Sequence, residues 1–258
     1  MAHEKVAIVT GSTQGLGEAI ARRLVDEGLI RGLVICGRNA DNGERLAREL
    51  SARGCRTEFV KAELAVIEGC RRVSDTARRL FDRIDILVNS AATSERGTIL
   101  DTTPELFDRI MAVNVRAPFF LMQAAIQSMI ERGSAGSILN IISMSSHGGQ
   151  PFLSPYSASK GALVTLTRNV ACAVLKHRIR VNGLNLGWMD SPAEHAIQKR
   201  FHAAPDDWLQ KAEKEQPFGR LIKPAEAAEF AAFLLSERSG VMTGSIVDYD
   251  QNVIGTQG

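Results

Sequence analysis

The run Tyr156-Ser-Ala-Ser-Lys160 places a phenol and an amine four residues apart, and Ser143 lies thirteen residues upstream. A phenol ionises near pH ~10 and is a poor base at neutral pH unless a fixed cation favours the phenolate. Lys160 can be that cation, because residues four apart share one face of a helix and can serve one pocket. A tyrosine so placed can pass a proton to or from a hydroxyl or carbonyl oxygen. The pair alone proves little, so its companions carry the weight.

The main companion is Thr10-Gly-Ser-Thr-Gln-Gly-Leu-Gly17. Gly11, Gly15 and Gly17 follow an apolar strand pattern and open a helical one near Leu16. Glycines there permit a tight turn and close approach of the backbone to a pyrophosphate, which rests against the helix N-terminus. An ordinary strand-to-helix turn is the alternative, and the position directly after a strand favours the dinucleotide. A dinucleotide beside a proton-transferring tyrosine describes nicotinamide-dependent carbonyl/alcohol chemistry.

Short apolar, β-branched runs alternate with segments of helical period, the pattern of βαβ units and a parallel sheet covered on both faces. Strands are predicted over Val6–Thr10, Leu33–Cys36, Thr57–Val60, Ile84–Asn89, Ser137–Ser143, Ile179–Leu186 and Gly244–Tyr249. Helices are expected to start at Thr103-Pro104 and Lys223-Pro224, where a first turn tolerates proline. No repeat or linker interrupts the chain, so one α/β domain over 1–258 is expected, a doubly wound seven-stranded parallel sheet with helices on both faces. The interval 190–218 is poor in strand signals and reads as a substrate lid.

With 258 residues, of which 45% are hydrophobic, the chain can bury a substantial core. Its 31 basic and 29 acidic residues give a net charge of +2 without a long single-sign run, so no nucleic-acid partner is expected. No apolar run reaches the ~18 residues of a membrane span. Cys36, Cys55, Cys70 and Cys172 form no Cys-x-x-Cys pair and there is no histidine cluster, which argues for free buried thiols and no metal site. The start Met-Ala-His-Glu-Lys lacks the features of a signal peptide, and a cytoplasmic protein is expected by default.

Together these residues resemble the short-chain dehydrogenase/reductase family in its single-domain form, over nearly the whole chain. The resemblance implies a Rossmann fold and a catalytic tetrad of Asn114, Ser143, Tyr156 and Lys160. Tyr156 would exchange the proton with the substrate oxygen, Lys160 would lower the tyrosine pKa and hold the nicotinamide ribose, and Ser143 would donate to the substrate oxygen. Asn114 would position a water leading from Lys160. Ser145, Ser157 and Ser159 compete with Ser143, and the thirteen-residue interval favours the latter. Singly, Ser143 could cap a turn and Asn114 could satisfy backbone groups.

The family's dinucleotide segment corresponds to Gly11, Thr13, Gln14, Gly15, Leu16 and Gly17. Asn89-Ser-Ala-Ala92 matches a fourth-strand motif at Asn89 and Ala91 and departs from it at Ser90 and Ala92. Glu63 and Leu64 stand near the expected adenine, while Gly187, Met189 and Ser191 belong to a segment expected to close over the nicotinamide, with Leu186 in place of the family's proline. At the end of the second strand Gly37 leaves room, and Arg38 followed by Asn39 brings charge, for a 2′-phosphate that a carboxylate would repel. NADP is therefore expected over NAD; the alternative is that Arg38 only stacks on adenine.

Ser145, Gln150, Trp188 and His195 give the substrate end an inventory rich in hydrogen-bonding groups, suited to a sugar, sugar alcohol or hydroxy acid. His147 and His195 could equally be exposed loop residues. Leu186-Gly-Trp-Met-Asp-Ser-Pro192 also resembles bacterial sugar and polyol dehydrogenases. A dinucleotide-dependent lyase or epimerase, or a catalytically silent regulator, are the rival classes; the complete tetrad disfavours the regulator. The resemblance implies a homotetramer built on the helix bearing Tyr156, whose Ala158, Ala162, Val164, Thr165 and Ala173 would permit close packing.

Overall fold

In the computed structural model, which describes residues 5–255, all seven strands are parallel and run in the order β3-β2-β1-β4-β5-β6-β7. The strands are β1 Val6–Thr10, β2 Gly32–Gly37, β3 Arg56–Lys61, β4 Ile86–Asn89, β5 Gly136–Ile141, β6 Ile179–Leu186 and β7 Ile246–Tyr249. Alternate side chains serve opposite faces. Ala7 and Val9 of β1 join the apolar cluster with helices α1 (Gly15–Asp26) and α9 (Pro224–Leu235). Ile8, between them, joins the cluster with α3 (Ile67–Phe81) and α5 (Ala117–Glu131). Burial on both faces explains the near-continuous apolar strands.

The helices start where local chemistry permits. Thr103 accepts from the Leu106 N–H ahead of Pro104, fixing the start of α4 (Pro104–Met111). At α9 the Glu226 carboxylate accepts from the Lys223 N–H at 2.7 Å, ahead of Pro224. Five strands differ in their bounds from expectation: β2 and β3 each gain one residue at both ends, β5 starts one residue earlier, and larger shifts occur at the start of β4, the end of β5 and the start of β7. Asp85 precedes β4 because its carboxylate accepts from the Val6 N–H at 2.8 Å and pairs with Arg83 at 2.6 Å. β5 ends at Ile141, since Ser143 caps the 3-10 turn Met144–His147. β7 begins at Ile246, after the positive-φ Gly244.

Strand order reverses between β1 and β4, which opens a crevice at the carboxyl ends of those strands. Thr10 bridges it, its Oγ1 accepting from the Ser90 and Ala91 N–H groups at 3.0 Å each. The interval 190–218 contains α7 (Pro192–His202) and α8 (Trp208–Lys214), and its ends meet where Met189 pairs with Ile222. Three cysteines are buried as expected, but Cys172 is exposed, because its position on α6 (Ser154–Ala173) faces away from the sheet. Among the described residues no helix is long and apolar enough to cross a membrane.

Candidate active site

The glycine-rich turn is locked by a residue that sequence reasoning passed over. Ser12 Oγ donates to the Val9 carbonyl at 2.8 Å and accepts from the Cys36 N–H at 3.1 Å, tying the turn to β2. Gly11 and Gly15 have φ of 63° and 58°, a conformation that L side chains rarely adopt. A Cβ on Gly17 would stand 2.4 Å from the Gly11 carbonyl oxygen, so helix α1 can begin this close only at glycine.

The turn forms one wall of a groove of about 320 Å³. Gly11, Thr13, Gln14, Gly15, Leu16 and Gly17 line it, as do Arg38, Glu63, Leu64, Ala91, Met189 and Ser191, all expected from the sequence. Five expected residues are not in this lining: Tyr156 and Lys160 on α6, and Asn39, Asn89 and Gly187. Asn39 caps α2 (Ala40–Ala52), accepting from the Asn42 N–H. Asn89 is buried and donates to Asn140 Oδ1 at 2.8 Å, joining β4 to β5. Gly187 is a packing site, since a Cβ there would lie 1.9 Å from Asp250 Oδ1. Gly37 also lines the groove, and a Cβ there would stand 2.5 Å from Thr13 Cγ2, so only glycine fits.

Ile141 lines the inner end of the groove, and its carbonyl accepts from Lys160 Nζ at 2.8 Å. Lys160 is only 2% exposed, and burial lowers its pKa from the ordinary 10.5 to about 8. Tyr156, one turn earlier on α6, has its ring centroid 5.6 Å from Nζ. Burial raises the phenol's pKa; a hydrogen bond with Ser143 lowers it, the Glu194 carboxylate raises it and Arg96 lowers it, with a net rise. The ammonium of Lys160 is turned toward the Ile141 carbonyl.

Asn114 sits in a π turn, Ala112–Arg116, between α4 and α5. Its Oδ1 accepts from the Thr93 N–H, and its Nδ2 donates to the Thr93 carbonyl and to Ser159 Oγ, each at 2.9 Å. The amide therefore ties the segment after β4 to the helix carrying Tyr156. Ser143 Oγ donates to Ser145 Oγ at 3.2 Å, and Ser145 Oγ donates to Gln150 Oε1 at 2.6 Å. Trp188 Nε1 donates to Glu194 at 2.9 Å, and the indole lies 6.2 Å from that of Trp208. His195, on α7 rather than in a loop, meets Asp190 at 2.8 Å, and its ring centroid stands 4.8 Å from that of Trp208 in an edge-on arrangement.

A family model described as Enoyl-(Acyl carrier protein) reductase matches residues 11–251. Dehydrogenase/reductase SDR family member 4 of Oryctolagus cuniculus is 36% identical over 249 residues, 94% of this chain and 91% of that protein. The NADP-dependent (R)-specific alcohol dehydrogenase of Lentilactobacillus kefiri is 32% identical, covering 93% of each chain. L-sorbose reductase from Gluconobacter frateurii, solved with NADPH and L-sorbose, superposes with a TM-score of 0.91 at 32% identity, over 98% of this chain and 97% of that one. The chain belongs to the short-chain dehydrogenase/reductase family. As a short-chain dehydrogenase/reductase it is an NAD(P)-dependent oxidoreductase that interconverts an alcohol and a carbonyl.

The groove of this short-chain dehydrogenase/reductase fits a dinucleotide on its own geometry: positive-φ glycines, a backbone closed at Gly17, and the N-terminus of α1 facing the cleft. Lys160 also carries a stability signature. Its proton is lost near pH 8 in the folded chain and near 10.5 in the unfolded chain. Between those values the unfolded state holds more protons, so this group's contribution rises with pH. In the dinucleotide-free protein, the stability of wild type relative to Lys160→Met is expected to rise by on the order of 2–3 kcal/mol from pH 7 to pH 10. Denaturant titrations of both proteins check this, since titrations shared by the two cancel; a gap constant with pH would contradict it.

Proposed function

We propose that Tyr156 exchanges the proton with the substrate oxygen, assisted by Ser143, Lys160 and Asn114, on a small polar hydroxyl or carbonyl compound. The observation that carries the reading is the buried Lys160, bonded at 2.8 Å to the carbonyl of Ile141 in the groove wall and 5.6 Å from the Tyr156 ring centroid. When bound, the dinucleotide supplies the hydride donor or acceptor. As the phenolate Tyr156 takes the hydroxyl proton in oxidation, and as the phenol it gives the proton back in reduction, while Ser143 donates to the oxygen on which charge develops. Lys160 keeps a positive charge beside the phenol at neutral pH and holds the ribose. Asn114 fixes the distance between the segment after β4 and α6.

Ser145, Gln150, Trp188 and His195 form the polar substrate end in this reading, and α7 with α8 is the lid. Ser143→Ala is expected to lower turnover on the order of 100-fold, the scale for one preorganised donor. Ser145→Ala should cost less, because its hydroxyl is committed to Gln150. Steady-state rates for both variants test this, and the reverse ranking would move the donor role to Ser145.

NADP is the preferred cofactor in this reading. Arg38 is exposed at the groove and, among the described residues, has no hydrogen bond or ion pair, leaving its guanidinium available for a 2′-phosphate. The Lentilactobacillus relative is named NADP-dependent, and the sorbose reductase structure contains NADPH. Following nicotinamide absorbance with both dinucleotides over sugars, polyols and hydroxy acids tests the cofactor and substrate class together. We further place the protein in the cytoplasm as a homotetramer. Its four cysteines are free, as suits a reducing compartment, and Phe119 and Phe120 expose apolar surface on α5.

A further inference from the structure

Arg96 lies between β4 and α4 and has no role in the machinery above. Backbone pairing clamps its segment to the start of α6: the Gly97 N–H donates to the Phe152 carbonyl, and the Ser154 N–H to the Gly97 carbonyl, each at 3.0 Å. The clamp ends two residues before Tyr156. The guanidinium carbon stands 5.5 Å from the Phe152 ring centroid. Its Nε donates to His202 Nε2 on α7 at 3.1 Å, and Nη1 donates to the Ser94 carbonyl at 3.1 Å. A guanidinium has more N–H donors than these contacts use, and Nη2 has no partner among the described residues.

Among the described residues no carboxylate lies within ion-pair distance of this half-buried cation. The adjacent Glu95 is held by Arg109, through two hydrogen bonds of 3.0 Å. Glu194, whose field reaches Arg96, is engaged by Trp188 Nε1 and Gln198 Nε2 at 2.9 and 2.7 Å. Arg96 does not line the dinucleotide groove, whereas its charge acts on Tyr156. Half-burying a cation without a counter-ion is costly, and an anionic ligand offsets that cost.

We propose that Arg96 is the carboxylate anchor of the substrate pocket and that the substrate is a hydroxy acid or the corresponding keto acid. The inference rests on the alcohol/carbonyl reading of the site and narrows its substrate class. The planar fork of the guanidinium matches a carboxylate, and its tether to α6 fixes the anchored group relative to Tyr156. In oxidation the carbinol C–H bond breaks and its electron pair leaves as hydride to the oxidised dinucleotide. The O–H proton passes to the Tyr156 phenolate, which becomes the phenol, and the C=O bond forms. The carboxylate is held and unchanged.

The test uses gluconate and erythronate against their neutral partners sorbitol and erythritol, on the full chain with NADP and NAD. Wild type, Arg96→Gln and Arg96→Lys are compared by nicotinamide absorbance, and by calorimetric binding of the acids to the protein–dinucleotide complex. Wild type should favour acids, and Arg96→Gln should reduce the acid-to-alditol ratio of kcat/KM at least ~10-fold, mainly through KM, with Arg96→Lys between them. The ratio cancels the effect of Arg96 on Tyr156, which both substrates share. Equal losses for acid and alditol, or alditols reacting where acids neither bind nor react, overturn the proposal. Absence of turnover with every probe would count against the small-polar-substrate reading instead. Calorimetry still decides the anchor in that case: acid binding lost in Arg96→Gln supports it, and no acid binding to wild type overturns it. Arg96→Lys, which keeps the charge, guards against a folding defect in the glutamine variant.

Discussion

Tyr156→Phe is expected to lower turnover by at least ~100-fold, the lower range for loss of a positioned acid/base, while dinucleotide affinity stays within a few-fold of wild type. The change removes one hydroxyl and keeps the ring, so the packing of α6 persists. Lys160 retains its bond to the Ile141 carbonyl, and the groove walls at Gly11 to Gly17 are untouched. Ser143 loses a partner but keeps Ser145. Steady-state rates together with dinucleotide titration by fluorescence check the split. Near-normal turnover would remove Tyr156 from the proton path, and a parallel loss of dinucleotide binding would make it a structural residue.

Arg38→Leu should weaken NADP binding at least ~10-fold, equivalent to ~1.4 kcal/mol, and leave NAD binding nearly unchanged. Only the 2′-phosphate distinguishes the two cofactors at this position. The single change is cleaner than adding Gly37→Asp, whose Cβ would press on Thr13 in the groove wall. Titrations with both dinucleotides at one fixed ionic strength decide the matter, because the phosphate contact is partly screened. If the wild type already prefers NAD, or the variant loses both cofactors equally, Arg38 is a stacking residue.

Much of the fold was legible because its signals are local. Val6–Thr10 and Ile179–Leu186 are strands with the expected bounds, since burial on both faces demands unbroken apolar runs. The glycine turn was equally legible, because close backbone approach demands glycine whatever lies downstream. The errors occur where a distant partner decides. Asp85 leaves β4 for Val6, and Asn89 bonds to Asn140 on the neighbouring strand. Lys160 was placed correctly on the helix face, but the turn of its ammonium toward Ile141 depends on β5. Arg96 gave no signal, since a single cation in an irregular segment acquires meaning only from Phe152 and His202.

The pairing of Gly97 with Phe152 and Ser154 couples two jobs that chemistry could have kept apart. In the proposed reading, the stretch that presents Arg96 to the incoming molecule and the helix that carries the proton-exchanging Tyr156 are stapled together by two backbone hydrogen bonds. Side chains on that stretch can therefore be exchanged to accept a different molecule without shifting the point at which the proton is handed over. Such a joint makes the protein easy to retune: selectivity can drift through single substitutions near residue 96 while the reaction itself is conserved.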